Sequence, residues 1–457
     1  MSRPRSAGSV FWGFILISTG MILLLKNLGY EIPIWTGIAR YWPVLLILWG
    51  IIKLVDYARW RRAGEPGPLF GAGEIVLLII VILSGTALTA AANMSPDFGA
   101  LFDISGIDIF DITGASYQYT EHYDKDVPAG SSIEVINRYG NVIITPADTD
   151  RISVDVAKTV TARNPEEAAQ LEKMLTYSIV EANGRYQVIS TFNRDQNTVR
   201  GRRFKTSLTI KVPKKAALDV NNRNGNVEIS DLTGDQRVSN GFGRVVLKGI
   251  AGAVQVTNRN DSVLVEDIMG EAKISSEFGT VEAKRISGGL DIRNRNGNVD
   301  IGEVKGDAKV NNSFGEIDAV DIGGALDIDT RGGDVEVTRV EKDVTVKARF
   351  QSIRLVDVKG KVDVDNQNGD VNVTYVQPPK NNIRLSSKFS DITLVVPSGS
   401  SFSMDARTRF SSIDSDYPEL SRREDDHSNR EALTGQVGTG GPEIRIENEN
   451  GRIRIEK

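Results

Sequence analysis

The two histidines, His122 and His427, are the first places to look for chemistry in a chain of 457 residues that contains no cysteine. Without cysteine there is no thiolate nucleophile, no disulfide and no Cys-based zinc site. Neither histidine has a metal-ligand partner at a useful spacing, so both read as solvated side chains. No Gly-x-Ser-x-Gly elbow, P-loop or dinucleotide fingerprint occurs in a strand-to-helix context. The sequence thus nominates no catalytic residue, no cofactor-binding residue and no metal ligand. The chain is expected to be non-enzymatic and to need no cofactor.

Two patterns remain. Gly332-Gly333-Asp334 and Asn368-Gly369-Asp370 faintly resemble calcium-binding nonapeptide repeats. Most neighbouring turns instead read Asn-Arg-Asn-Gly-Asn, which lacks the carboxylates a hard cation requires. Asparagine there predicts tolerance of a left-handed turn and side-chain hydrogen-bond ladders. The recurrent Arg223, Arg259, Arg295 and Arg331 form a stripe able to meet anionic headgroups or wall polymers. The plainer reading, which the mildly acidic balance favours, makes them solvated corner residues balanced by nearby Asp and Glu. With a net charge of −5 and no basic run, no nucleic-acid partner is expected.

The frame that positions these residues is a repeat. Asn222-Arg223-Asn224-Gly225, Asn240-Gly241-Phe242-Gly243, Asn258-Arg259-Asn260-Asp261 and their successors recur every 18 residues as far as Asp370. Counted from the turn glycine, apolar side chains fall at positions two, four, seven and thirteen, as in Val227, Ile229, Leu232 and Val238. Alternation by two means strand, and a strict short period of strands means a solenoid. The expected fold is therefore all-β, a parallel β-solenoid (β-helix) over residues 127–457. Gly234, Gly252, Gly270, Gly288, Gly306 and Gly324, at position nine, mark a second corner with an unusual backbone. Because Phe242, Phe278, Phe314 and Phe350 alternate with Asn224, Asn260 and Asn296, like-on-like stacking favours a coil of 36 residues over one of 18.

Around the repeat, Ile133 to Ile144 predicts a degenerate first rung. Asn164, Pro165, Glu166 and Glu167 predict a capping helix near 165–177, with Ala168, Leu171, Met174 and Leu175 on one face. The stretch near 414–441 reads as a mobile polar loop, and Glu443 to Lys457 as a strand pair that finishes the stack. Before the solenoid, residues 1–93 read as an α-helical transmembrane region, with helices at about 10–25, 42–55 and 75–92, and residues 94–126 as a juxtamembrane lead-in. Arg3 and Arg5 before the first helix, and Arg59, Arg61 and Arg62 after the second, put both ends of that hairpin in the cytoplasm. The third crossing then places the solenoid outside. A signal peptide ending at Leu25 is disfavoured because no small-x-small site follows and two more apolar runs do.

Phe11-Trp12-Gly13-Phe14-Ile15-Leu16 and Tyr41-Trp42-Pro43-Val44-Leu45-Leu46-Ile47-Leu48-Trp49-Gly50 resemble the LiaF-like membrane region of bacterial envelope-stress proteins. The Asn-Gly-x-Val and Phe-Gly-x-Val repeats resemble the bacterial adhesin-like solenoids called toastrack domains, seen in LiaG-like proteins. The resemblance implies a bacterial cytoplasmic-membrane protein that senses or responds to envelope damage, with partners in the bilayer and in an envelope protein or cell-wall polymer. It carries over no catalytic residue. The third apolar run and the 414–441 segment depart from the pattern. The competing readings are an adhesin that binds an external ligand through the solenoid face, and, far behind, a polysaccharide-acting enzyme with carboxylates in a deep cleft.

Overall fold

The computed structural model describes residues 115–182, 184–192, 204–425 and 429–457. The three expected membrane helices, the lead-in before Ala115 and His427 lie outside the described residues. Among the described residues no helix is long and apolar enough to cross a membrane.

Each repeat makes two short strands. Strands such as Val245–Ile250, which follow the turn glycine, form one sheet of 16 strands (sheet I); strands such as Val254–Asn260, which precede it, form the facing sheet II. Pairing is parallel, with Val245 opposite Val263 and Gln236 opposite Val254, so one coil is 18 residues. The 36-residue coil is not formed. Its premise fails because Phe242, in register between Asn224 and Asn260, is 49% exposed. A side chain outside the core needs no identical neighbour, and the inner Val, Ile, Leu and Ala columns interchange from coil to coil.

Positions two, four, seven and thirteen are buried as expected, and position eleven joins them through Val254, Ala272 and Leu290. The step from four to seven is odd, which in a regular strand would turn the last side chain outward. Position six absorbs the extra residue as a bulge. Asp231, Asp267, Arg285, Glu303, Asp321, Arg339 and Asp357 all take a left-handed φ of 54–60° there. Each such residue costs about 1–2 kcal/mol, while the burial of the next Leu, Ile or Val returns about 1.5–3 kcal/mol. Burial wins, narrowly, at every coil.

The two glycine columns have different causes. The turn glycines have positive φ, 130° at Gly297. The position-nine glycines do not; a β-carbon on Gly306 would instead lie 2.4 Å from the carbonyl oxygen of Gly288. Close approach of stacked backbones, not a left-handed conformation, favours glycine at that corner, where Lys342 is the exception.

A column of buried asparagines braces the turn. Nδ2 of Asn240, Asn294 and Asn312 donates to the carbonyl three residues on, at 2.8, 2.9 and 3.0 Å. Side-chain to side-chain links join Asn137, Asn222 and Asn240. The asparagines thus hold the turn while glycine takes the left-handed conformation. Replacing Asn294 by alanine is expected to cost about 1–3 kcal/mol, since the Gly279 carbonyl loses its side-chain donor and the Gly297 carbonyl keeps only that of Asn312; a thermal melt unchanged from wild type would refute the brace. Asp334 and Asp370, the residues with a calcium-repeat look, accept the backbone N–H of Ser352 and Asp391 in the next coil.

Both ends are capped. Ser132–Asn137 and Asn141–Ala147 form the first coil, parallel to Ala217–Asn224 and Val227–Ser230. Beyond it sheet I continues through Phe204–Pro213, Arg151–Ala162 and Ala115–Asp126, and sheet II through Arg185–Phe192 and Leu175–Ala182. The strand Ala115–Asp126 ends sheet I there, paired on one side only. The capping helix runs Pro165–Glu172, with Asn164 Oδ1 accepting from Glu167 N at 2.8 Å, and packs on the Arg151–Ala162 and Ala115–Asp126 strands. It stops short of the expected residue 177. Leu175–Ala182, rich in β-branched and aromatic side chains, pairs as a hairpin with Arg185–Phe192 instead.

The far end corrects two expectations. The 414–441 segment is no loop: Ser421–Asp425 and Arg430–Val437 form a hairpin, and the latter pairs antiparallel with Phe402–Thr408. Its polarity reflects a strand that buries one face only, through Leu433 and Val437. Nor does the last strand pair end the stack. Glu443–Asn448 and Ile453–Glu456 insert between the coil of Ile383–Ser387 and Ile392–Val395 and the coil of Phe402–Thr408 and Ile413–Ser415.

Candidate functional site

Four surfaces of the stack present side chains outward: the two sheet faces, the bulge edge at position six and the turn edge just before the turn glycine. On the outer face of sheet I, Glu282, Asp300, Asp318 and Glu336 stand in register on successive coils. Burial, then the neighbouring carboxylates, raises the pKa of Asp300 and Asp318. This ladder lies on an open face and lines neither of the described grooves, whereas the polysaccharide-acting reading asked for a cleft.

The bulge edge holds a shallow groove of about 710 Å³, lined by Asp267, Met269, Arg285, Glu303, Asp321 and Arg339 among others. Its charges are largely spent on each other along the stack. Arg285 Nε lies 2.6 Å from Asp267 and its guanidinium also bonds Glu266; Arg339 lies 2.5 Å from Asp321, and Lys359 2.6 Å from Glu341. Hydrogen bonds from Arg285 and Arg339 hold the Asp267 and Asp321 carboxyls below their usual range. Exposed pairs of this kind are screened by solvent and add little to stability. The groove therefore offers little unneutralised charge to a ligand.

The turn edge differs. From Asn224 to Asn296 the strand register sets Asn224, Phe242, Asn260, Phe278 and Asn296 side by side, and Phe314 follows. Backbone hydrogen bonds carry the column on: Asn368 N to Arg349 O beside Phe350, Phe389 N to Gln367 O, Asn450 N to Lys388 O, and Phe410 N to Glu449 O. At the other end Gly140 N donates to Asn224 O, which sets Tyr139 beside Asn224. An aromatic thus stands on every second coil from Tyr139 to Phe410, with asparagine or Gly332 between. The phase survives even where the last strand pair is inserted out of chain order. The six phenylalanines are 46–62% exposed.

One residue earlier on the same edge lie the arginines. Arg223, Arg259, Arg295 and Arg331 are exposed and occupy the coils that lack an aromatic. Arg259 Nε lies 3.3 Å from Glu277. Arg223, Arg295 and Arg331 pair with no carboxylate among the described residues, so the balanced-corner reading holds for one of the four. Both columns are visible in the sequence, but the phenylalanines face solvent where like-on-like stacking would bury them.

His122 lies far from both edges, on the antiparallel cap, with Nδ1 2.7 Å from Asp155 and Nε2 3.0 Å from Asp124. It is exposed, as expected, but not without partners. The hydrogen bond it donates to Asp155, then that to Asp124, raises its pKa above 6.5. A raised folded value means that the contribution is full below about pH 6.5 and fades as pH rises through the folded pKa. The melting temperature should fall slightly over that window, and His122→Gln should flatten the trend. An identical pH profile in the variant would refute the assignment.

With the geometry in place, comparison shows what the chain is similar to. Residues 131–353 and 350–456 match the Toastrack DUF4097 family, and residues 11–109 match the LiaF transmembrane domain. No curated protein matches it. Solved structures include a candidate cell adhesion protein from Clostridium sporogenes, 8% identical over 74% of this chain and 99% of its own, with a TM-score of 0.19. Candidate adhesins from Bacteroides fragilis and Parabacteroides merdae are 11% and 13% identical, each over 56% of this chain and 97% and 96% of their own, with TM-scores of 0.25 and 0.29.

Proposed function

We propose, from the premise that the chain belongs to the Toastrack DUF4097 family, that it is a non-enzymatic, membrane-anchored protein of the bacterial envelope whose solenoid is an interaction scaffold, acting in envelope-stress sensing or response. The match of residues 11–109 to the LiaF transmembrane domain supports the anchor. The observation that carries the scaffold reading is the turn edge: an exposed phenylalanine column on a two-sheet stack, beside arginines of which three pair with no carboxylate among the described residues. Exposed aromatics on a rigid support serve contact, and a solenoid fixes their spacing. The arginines of the cytoplasmic flanks support an N-terminus inside and a solenoid outside the cytoplasmic membrane.

Crosslinking in intact cells, followed by pull-down, tests this. Deleting residues 127–457 should lose the envelope contacts, while deleting the first hairpin should lose a membrane signalling partner and leave the solenoid contacts. Loss of every partner on deleting the solenoid alone would sink hairpin signalling. Protection of the solenoid from external protease in spheroplasts would refute its placement. The aromatic column also favours the second reading, an adhesin for an external ligand; capture of the solenoid on foreign cells but not on its own envelope would select it.

A further inference from the structure

Tyr139 to Phe410 repeats every two coils, which at about 4.8 Å per coil is a spacing of about 10 Å over a column about 60 Å long. Nothing in the fold demands that period. Phenylalanines on adjacent coils would stack on one another and hide surface; alternation leaves each ring open. Nor would a lipid surface reward it, because a bilayer has no repeat along the contact. What matches a strict alternation is a linear polymer with a repeat of the same length. Two coils is about the length of a disaccharide in an extended β-1,4-linked glycan, and sugar rings present flat C–H faces that pack on aromatic rings.

The charges narrow the choice. From Arg223 to Arg331 successive coils present Arg, Phe, Arg, Phe in turn, and three of the four arginines pair with no carboxylate among the described residues. Guanidinium groups that are exposed and unneutralised fit carboxylates. We propose that the turn edge binds an anionic linear glycan of two-sugar repeat, one sugar stacking on each aromatic and the other offering its acidic group to an arginine. The inference rests on the scaffold reading and names the ligand of that surface. Many weak, equally spaced contacts then add as avidity, and the affinity depends on phase as well as on residue type.

The test uses the full chain in detergent micelles, co-sedimented with bead-bound glycan strands of peptidoglycan sacculi, stripped of their stem peptides by amidase so that every second sugar carries a free carboxylate, and, separately, with phosphatidylglycerol vesicles. Phe278→Ser/Phe314→Ser and Arg223→Ser/Arg295→Ser, all at exposed positions, are each expected to weaken sedimentation with the glycan strands by about tenfold or more. Two deletions then separate phase from fold. Removing residues 280–297 takes out one coil and sets Phe278 directly beside Phe314, breaking the alternation; removing residues 280–315 takes out two coils and keeps it. Both should keep the circular dichroism of stacked strands, while only the one-coil deletion loses about tenfold in affinity. Equal affinities for the two folded deletions, unchanged binding by the serine variants, or capture by vesicles in place of glycan strands would overturn the proposal. The scaffold reading survives those outcomes if the in-cell crosslinks still require the solenoid.

Discussion

Replacing Lys158 by alanine is expected to cost about 3–5 kcal/mol and to loosen the N-terminal cap of the solenoid, because it strands two carboxylates at once. The Lys158 side chain is wholly buried, with Nζ 2.6 Å from Glu121 and 2.8 Å from Glu172, and 5.9 Å above the ring of Tyr177. One ammonium thereby ties together the first strand, the fourth, the helix and the hairpin that follows it. Burial pushes the Glu121 pKa up, but hydrogen bonds from Lys158 and Tyr123 outweigh it and hold the carboxyl below 4.5. A depressed folded pKa contributes stability above about pH 4.5 that is lost as pH falls through the folded value. Acid should therefore reproduce the variant's defect in the same region.

The loss should stay local, since each coil leans mainly on its neighbours. Hydrogen exchange should report lost protection in Ala115–Asp126 and Arg151–Ala162, with the coils beyond Val245 unaffected. Adding Glu121→Gln and Glu172→Gln to Lys158→Met should recover most of the loss, as a neutralised site no longer buries unpaired charge. A wild-type exchange pattern in Lys158→Ala would show that the triad is ornamental. Failure of the triple variant to recover would instead assign the role to packing of the lysine stem.

Lys158 also shows what the sequence disclosed and what it withheld. It takes an inward register after Ile152, Val154 and Val156, so alternation alone flagged a charge facing the core; its two partners come from segments 37 and 14 residues away, which no local pattern names. The 18-residue period was legible because every inner column repeats at that offset, but the expected coil was 36 residues, and the bulge behind the odd step from position four to seven came only with the backbone. What misled was a rule applied on the wrong side: like-on-like stacking governs buried ladders, and the phenylalanines face solvent. Ile444, Ile446, Ile453 and Ile455 look like any other coil in composition, so their insertion ahead of Phe402–Thr408 in space is decided by long-range pairing alone. At the candidate site, the residue types could be read at once, while the absence of carboxylates beside Arg223, Arg295 and Arg331 required the three-dimensional register.

Gly297→Ala is expected to rival Lys158→Ala in effect, and to exceed Gly306→Ala clearly, although both place a methyl group against a neighbouring coil. At Gly306 the added β-carbon meets the Gly288 carbonyl oxygen at 2.4 Å, with no left-handed φ at the site. The neighbour there is backbone fixed by the parallel ladder, so the two coils must part, at about 1–3 kcal/mol. At Gly297 the β-carbon would lie 2.2 Å from the Gly279 carbonyl oxygen, and φ is 130° besides, which adds a further cost of about 1–3 kcal/mol. Asp261 occupies the same column with φ 87°, but its carboxylate accepts the Ser262 N–H at 2.6 Å and so compensates for the conformation, as alanine cannot. Where the column holds Gln351, the strand before it already ends at Lys347 and φ is not left-handed, so the turn is built differently and tolerates a side chain. Thermal melts of the two alanine variants should therefore separate, with Gly297→Ala melting lower. Equal melting temperatures would mean that the stacked carbonyl, and not the left-handed turn, sets which residues the edge beneath the aromatic column can hold.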